Sequence, residues 1–417
     1  MSLPLALYRA ASGLLQPLAP GLLQGRARRG KEDAARLSER LGYPGRSRPP
    51  GSLIWLHGVS VGESLSLIPL VEGLAARRPE ATLLVTSSTL TSASLLAQRL
   101  PKGAIHHYSP IDSPAAVGRF LDHWRPDLGL LVESELWPNL ILTAAKRGVK
   151  LALISARMTE ASARGWRRAP GAARKLLSAF DLVLPQSDEI AERLGGLGAT
   201  IGGRLNLKRI GRPLPHDPQI LSDLRGTLAP RPIVLASNTH PGEEEIVARA
   251  MAGLDATLVV APRHPDRGTE VASLLAALGF VVAQRSLGQT PTPETTAYVA
   301  DTLGEMGLFY RLSDIAVMGG SFVPGIGGHN PLEPARLKVP IISGPDVFNA
   351  ADLYAEMHAD VAAIEAKNGA DLARHLAGML KFPHIAERIA GAAQAYADRQ
   401  GAALDDALDA LDPLMPR

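Results

Sequence analysis

The 417-residue chain contains no cysteine, which excludes disulfides, thiolate zinc sites and a cysteine nucleophile, and fits a reducing compartment. Aromatic residues amount to only 4%, whereas nucleic-acid grooves interleave basic side chains with stacking aromatics, so no nucleic-acid partner is expected. HExxH and carboxylate clusters with ligand spacing are also missing, and the adjacent His106 and His107 would face opposite sides of a strand. Neither a metal nor a cofactor is therefore expected. Long hydrophobic runs are absent as well. Residues 3–23, LPLALYRAASGLLQPLAPGLL, are broken by Arg9, Pro4, Pro17 and Pro20, while a membrane span needs about 20 uninterrupted apolar residues. Their positive charge follows the apolar stretch rather than preceding it, unlike a cleaved signal peptide.

What is present is unevenly distributed. The net charge is +3, yet residues 1–50 carry nine basic side chains against three acidic ones, so the rest of the chain sums to −3. Residues 1–30 are expected to form a monotopic leader, with apolar side chains entering an anionic membrane surface and Arg26, Arg28, Arg29 and Lys31 meeting headgroups. The alternative is a helix packed on the body with its arginines solvated.

From residue 52 onward, short apolar runs alternate with helical patterns, the signature of a parallel sheet covered on both faces. Strands are expected at 52–57, 81–86, 127–132, 149–154 and 181–184, and again at 232–236, 256–261, 279–283, 296–300, 314–318 and 339–343. Between the two series, GRPLPHDP at 211–218 reads as a linker or hinge. The expected organisation is α/β, with two doubly wound Rossmann-like domains at 31–210 and 219–385. A helical segment follows at 386–417, with no sequence signal for the domain it joins. Ligands of such sheets bind beyond the carboxyl ends of the strands, so the informative residues should follow each run.

After the first run, Gly58-Val59-Ser60-Val61-Gly62 matches the nucleophile elbow of hydrolases, with His240 or His264 as candidate bases, although that elbow normally follows several strands. Glu63 completes an S-x-x-E capping box with Ser60 and is equally placed to act as a general base. After the third run, Glu133 and Glu135 share one face until Pro138 opens a helix. They could stabilise a developing charge or merely cap that helix. In the second series, SNTHPGEEE places Pro241 at an expected first helical position, with backbone N–H groups free near Ser237, Asn238 and His240. APRHPDR supplies Arg263, a planar donor suited to phosphate, and His264. The stretch 319–336, GGSFVPGIGGHNPLEPAR, has glycines that permit close backbone approach before Asn330-Pro331 opens a helix, and reads as a phosphate cradle. Glu333, one turn further on, could cap that helix or accept two ribose hydroxyls.

In order, HGVSVGES, SPIDSP at 109–114, VESELWPNLI, RLNLK at 204–208, SNTHPGEEE, APRHPDR, DTLGEMGLFY and GGHNPLEPA resemble the 3-deoxy-D-manno-octulosonic acid (Kdo) transferases of lipopolysaccharide assembly, over nearly the whole chain. The resemblance implies a GT-B fold and inverting transfer of Kdo from CMP-Kdo to a lipid A precursor, lipid IVA. It also implies membrane association through the N-terminus on the cytoplasmic face of the bacterial inner membrane. It places the general base on Glu63 and transition-state stabilisers on Glu133 and Lys208. CMP contacts fall on Arg263, His264, Gly304, Glu305, Met306, Asn330, Pro331, Leu332 and Glu333. Two departures stand out: IGGRLNLKRI differs from the usual G-N-L-K-F-D ending, and the N-terminal apolar segment is weaker than that common in the family. The competing readings are another nucleotide-sugar enzyme of GT-B type and a serine hydrolase built on Ser60.

Overall fold

The computed structural model describes residues 2–134, 136–228 and 231–416. The chain forms two compact units, Met1–Gly211 with Gly401–Arg417, and Arg212–Gln400. The first is built on six strands, β1 (Leu53–His57), β2 (Thr82–Ser87), β3 (Ile105–Tyr108), β4 (Leu128–Val132), β5 (Lys150–Ala156) and β6 (Leu182–Pro185), in the order β3-β2-β1-β4-β5-β6. The second has β7 (Ile233–Thr239), β8 (Thr257–Pro262), β9 (Val282–Gln284), β10 (Ala297–Val299), β11 (Ile315–Met318), β12 (Ile341–Ser343) and β13 (Ile364–Glu365), in the order β13-β12-β11-β7-β8-β10-β9. Among the described residues every strand pairing is parallel.

The strands read as unbroken apolar runs because both faces are covered. Along β1, Leu53 and Trp55 pack on one side with Val117, Phe120 and Trp124, while Ile54 and Leu56 pack on the other with Leu67, Leu70 and Val71. That period of two in a wholly buried strand leaves only its carboxyl end for chemistry. The strand order reverses between β1 and β4 in the first sheet and between β7 and β11 in the second. These are the switch points where adjacent loops diverge and open a crevice.

Two strands escape the apolar pattern. β3, IHHY, is an edge strand whose ladder groups are met by residues 36–40. Tyr108 N–H donates to Glu39 Oε2 at 2.7 Å and Arg36 Nη2 donates to the His106 carbonyl at 3.0 Å. β13 has two residues. Residues 211–217 have no regular structure, but they are held on the second unit, where Arg311 Nη1 donates to the Leu214 carbonyl at 2.6 Å. The helix Pro383–Leu411 is divided at Gly401, and its last turns bury Leu408 and Leu411 beside Leu67 and Leu70.

The leader folds as two helices, α1 (Leu3–Leu15) and α2 (Ala19–Arg28). Pro4, Pro17 and Pro20 each sit in the first turn of a helical segment, where a missing N–H costs nothing, so they start helices rather than break one. Leu5 and Leu23 are buried, whereas Leu3, Leu7, Leu14, Leu15, Leu18 and Leu22 are exposed. Among the described residues no helix is long and apolar enough to cross a membrane.

Candidate active site

At the switch point of the first sheet, the chain leaves β1 and turns at once into the helix Val61–Arg77. Ser60 is its N-cap: Glu63 N–H donates to Ser60 Oγ at 3.3 Å, and Ser60 Oγ–H donates to Glu63 Oε1 at 2.9 Å. Glu63 Oε2 accepts from Val59 N–H at 2.7 Å. The capping reading of Glu63 is thus realised, and it does not exclude chemistry. Each oxygen keeps a second lone pair, and the two bonds fix where it points. The Ser60 hydroxyl, by contrast, is engaged by its own turn, and its nearest strand-borne histidine, His57, is directed to Thr86 Oγ1 at 2.9 Å. Burial drives His57 down to a pKa of about 3. That is not the arrangement of an activated serine.

Across the switch point, Glu133 follows β4 with φ +59°, a left-handed conformation rare for a residue with a side chain. Its backbone is held from both sides, N–H to the Ile154 carbonyl at 3.1 Å and carbonyl to Arg157 N–H at 3.2 Å. The buried carboxylate meets Lys208, with Nζ 2.6 Å from Oε1. Lys208 is placed by a short turn: Asn206 Oδ1 accepts from its N–H at 3.1 Å, Leu207 N–H donates to Ser155 Oγ at 3.2 Å, and Leu205 and Leu207 are buried. The chain therefore brings Glu133 and Lys208 together despite the unusual sequence around the lysine. Glu135 lies outside the described residues.

The motif carboxylate Asp112 has a structural role. Its Oδ1 and Oδ2 accept from Leu140 N–H at 2.8 Å and Asn139 N–H at 3.1 Å, capping the helix Pro138–Lys146. Tyr8 of α1 donates to the same Asp112 at 2.9 Å.

In the second unit, β7 runs to Thr239, with Asn238 at φ +55° in a bulge. The following helix begins at Glu243, with Gly242 as a left-handed N-cap, so Pro241 precedes the helix instead of opening it. Glu243 is fully buried and accepts from four backbone N–H groups: His240 at 2.9 Å, Gly320 at 2.6 Å, Ser321 at 3.0 Å and Phe322 at 2.9 Å. The glycine-rich turn after β11 is indeed an anion nest, but the protein's own carboxylate fills its first part. Gly325 N–H is likewise taken by Asp346 at 2.6 Å. This corrects the expectation of a phosphate on the first glycines of the stretch.

The open part of the edge lies further along. Arg263 and His264 are exposed just after β8. His264 lies 6.1 Å from His240 between ring centres, and His240 Nε2 is 3.0 Å from His329 Nε2. Burial, with His240 and Arg263 adding to it, pushes His329 down to about 4. His240 is also lowered, first by burial, with His264 and Arg263 contributing. Asn330 Oδ1 accepts from Leu332 N–H at 3.1 Å, which closes a local turn, while Pro331 and Leu332 are buried. Glu333 is half-buried, and burial raises its pKa against the opposing pull of Arg336 and Arg263. Arg263, His264, His240, His329 and Glu333 thus share one edge. Gly304 and Glu305 lie in the turn after β10, and Met306 opens the helix that follows. There Arg285 pairs bidentately with Glu305 (Nε–Oε2 2.6 Å), and Thr302 also donates to it. Among the described residues no hydrogen bond or ion pair joins this turn to Arg263 or Glu333.

Sequence reasoning missed the work of Glu243, Asn238, His329 and Tyr354, the last of which donates to the His329 carbonyl at 2.8 Å. The only available signal was three consecutive glutamates with a histidine three residues before them, which also describes an ordinary helix start.

A family model described as 3-deoxy-D-manno-octulosonic-acid transferase (kdotransferase) matches residues 35–208. The chain is 36% identical over 365 residues to a protein of Arabidopsis thaliana named a probable mitochondrial 3-deoxy-D-manno-octulosonic acid transferase, covering 84% of this chain and 82% of that one. It is 35% identical over 380 residues to the 3-deoxy-D-manno-octulosonic acid transferase of Rickettsia bellii, covering 90% of each. Among solved structures, a glycosyltransferase of Rickettsia africae is similar in fold at a TM-score of 0.59 and 14% identity, over 88% of this chain and 99% of that one.

Proposed function

The chain belongs to the Kdo transferase family of glycosyltransferases, and from that premise we propose that it transfers Kdo from CMP-Kdo to a lipid A precursor, lipid IVA, with inversion. The observation that carries the reading is the pair of acids flanking the β1/β4 switch point, Glu63 and Glu133, the second held by Lys208. Glu63 accepts the proton of a sugar hydroxyl as that oxygen attacks the anomeric carbon, and CMP departs with the electrons of the broken bond. Its fixed carboxylate needs no reorientation before the proton moves. Glu133 and Lys208 provide an oriented charge pair where charge develops. Arg263, His264 and the turn at Asn330–Glu333 hold the nucleotide: the guanidinium takes the phosphate and Glu333 takes the ribose.

The test is transfer of Kdo from CMP-Kdo to lipid IVA, read as a shift of the glycolipid product, together with the thermal shift given by CMP, UDP and NAD. Stabilisation by UDP or NAD in preference to CMP would favour another nucleotide-sugar enzyme.

We further propose that α1 and α2 rest on an anionic membrane surface at the cytoplasmic face of the inner membrane. Six exposed leucines and the exposed cations Arg9, Arg28, Arg29 and Lys31 support this reading. Replacing Leu7, Leu14 and Leu18 with serine should release the protein from anionic vesicles, and unchanged vesicle binding would overturn the assignment.

A further inference from the structure

Two histidines at the second switch point have no part in the mechanism above, and their geometry is demanding. The nitrogens His240 Nε2 and His329 Nε2 are 3.0 Å apart, the ring planes differ by 8° and the centroids are 5.2 Å apart. The centroids exceed the nitrogens' separation by nearly two full ring radii, so the rings lie end to end in one plane, the alignment of a single N–H···N hydrogen bond.

A neutral imidazole has one donor and one acceptor nitrogen, so a pair joined in this way must hold opposite tautomers. Which is which turns on the other side of His329, where the backbone carbonyl of Asn238 favours a proton on the ring. A carbonyl only accepts, so the geometry points to a proton on His329 Nδ1, with Nε2, which faces His240, left bare. His240 then donates from Nε2, and its own Nδ1 keeps the pair's free lone pair.

The surroundings are built for this contact. Asn238 reaches the required direction through its left-handed backbone. A Cβ on Gly319 would fall 2.5 Å from that carbonyl oxygen, and one on Gly320 would fall 3.1 Å from His329 Nε2, so both glycines are needed for the approach. Glu243 binds the N–H groups of both His240 and Gly320, fixing the two halves of the pair to one carboxylate.

We propose that His240 and His329 form a proton-loaded subsite for the phosphate of a nucleotide. The pair is neutral when the edge is empty and takes one proton from solvent, onto His240 Nδ1, when a phosphate ester settles beside Arg263. This rests on the reading of the edge as the nucleotide site, and it adds two residues that the family resemblance does not place there.

The charged and titratable groups facing His240 are Glu243, Glu244, Arg263, His264 and His329, and those facing His329 are His240 and Arg263. Glu243 is committed to four N–H groups, and Glu244 to Thr239 Oγ1 at 2.8 Å and Arg267 at 2.7 Å. In the empty site burial and the Arg263 charge keep the pair uncharged. A bound phosphate cancels that field and favours the imidazolium, which then becomes a second cation on the anion. The site gains charge only in the presence of its ligand.

The test is the pH dependence of binding of the methyl ester of CMP to the full-length chain. This phosphodiester stays singly ionised throughout, so any linked proton belongs to the protein. Between pH 6 and pH 8 the wild-type association constant should fall by about tenfold, one proton's linkage over one pKa unit. The fall should vanish in His240→Asn and in His329→Asn and persist in His264→Asn. Binding by the wild type with a flat profile overturns the pair and leaves the nucleotide site standing. A slope that survives both pair variants and disappears in His264→Asn also overturns it. No binding of CMP or its ester by the folded wild type defeats the nucleotide reading and this proposal together. Ring-nitrogen NMR of the free protein gives a second readout: His329 protonated on Nδ1 and His240 on Nε2 is expected, and the reverse overturns the assignment.

Discussion

The carboxyl edges of the two sheets share a topology and use it in opposite ways. Each has a non-glycine residue in the left-handed conformation beside its switch point, Glu133 after β4 and Asn238 within β7. Such a conformation costs on the order of 1–3 kcal/mol and persists only where the surroundings over-determine it. In the first sheet the strained residue supplies a buried carboxylate paired with Lys208. In the second it supplies a carbonyl that favours a proton on a histidine ring, and the carboxylate nearby, Glu243, is turned inward to hold the loop. One edge therefore carries acids, and the other carries Arg263 and imidazoles. That division suits the hydroxyl and the phosphate of the proposed transfer.

The largest effect should come from the acid edge. Glu63→Gln preserves the turn and should lower the transfer rate by about 10²–10⁴-fold while CMP binding stays within twofold; near-normal transfer by the folded variant would remove Glu63 from the chemistry. Lys208→Ala should cost about 10²-fold in kcat. Combining Glu133→Gln with Lys208→Met should recover stability without recovering rate, and recovery of both would make the pair purely structural.

On the other edge, Glu243→Gln replaces one accepting oxygen with a donor. It should destabilise the second unit by about 2–3 kcal/mol, because buried N–H groups lose a charged partner, and CMP affinity should fall with it. Hydrogen exchange at Gly320–Phe322 would show whether the loop has opened.

Acid separates the units differently. Burial holds His57 near 3 and His106 and His107 near 4 in the first unit, against His329 near 4 in the second, where His240, His358 and His375 are lowered as well. Between those values and 6.5 the unfolded chain binds more protons than the folded one, so stability falls as pH falls. The slope is roughly 1.4 kcal/mol per pH unit for each group. All four tryptophans, Trp55, Trp124, Trp137 and Trp166, lie in the first unit, so their fluorescence should report the acid transition of that unit, where the most strongly depressed histidine, His57, is fully buried, apart from the far-ultraviolet dichroism of the whole chain. Coincident transitions would contradict the difference.

The smallest effect belongs to Ser60→Ala, which should remove about 1 kcal/mol as the loss of an N-cap and leave transfer within tenfold. Loss of all activity would revive Ser60 as a nucleophile.

The sheets were legible because β1, β4, β5, β7 and β8 are apolar runs buried on both faces. β3 was hidden because its ladder is satisfied by arginine and glutamate side chains, so its histidines needed no apolar company. The capping box at Ser60–Glu63 could be read from spacing, since both partners lie in one turn. The ion pair of Glu133 with Lys208 could not: its members are far apart in sequence and meet only after the sheet is assembled, and the family resemblance alone paired them. Glu243 was obscured by its neighbours. Three adjacent glutamates look alike on paper, yet Glu243 and Glu244 are buried, while Glu245 pairs with Arg249 in solvent.

The inward carboxylate of Glu243 bears on the timing of catalysis. A glycine-rich turn with unfilled N–H groups would have to order itself around each incoming nucleotide, and every turnover would then include a folding step. With its anion supplied from within, the loop is settled once, during folding, and the ordering cost is absent from each binding event. In the proposed transfer, exchange of spent CMP for fresh donor would then wait on the few exposed side chains of the rim, a socket already cast rather than one remoulded in every cycle.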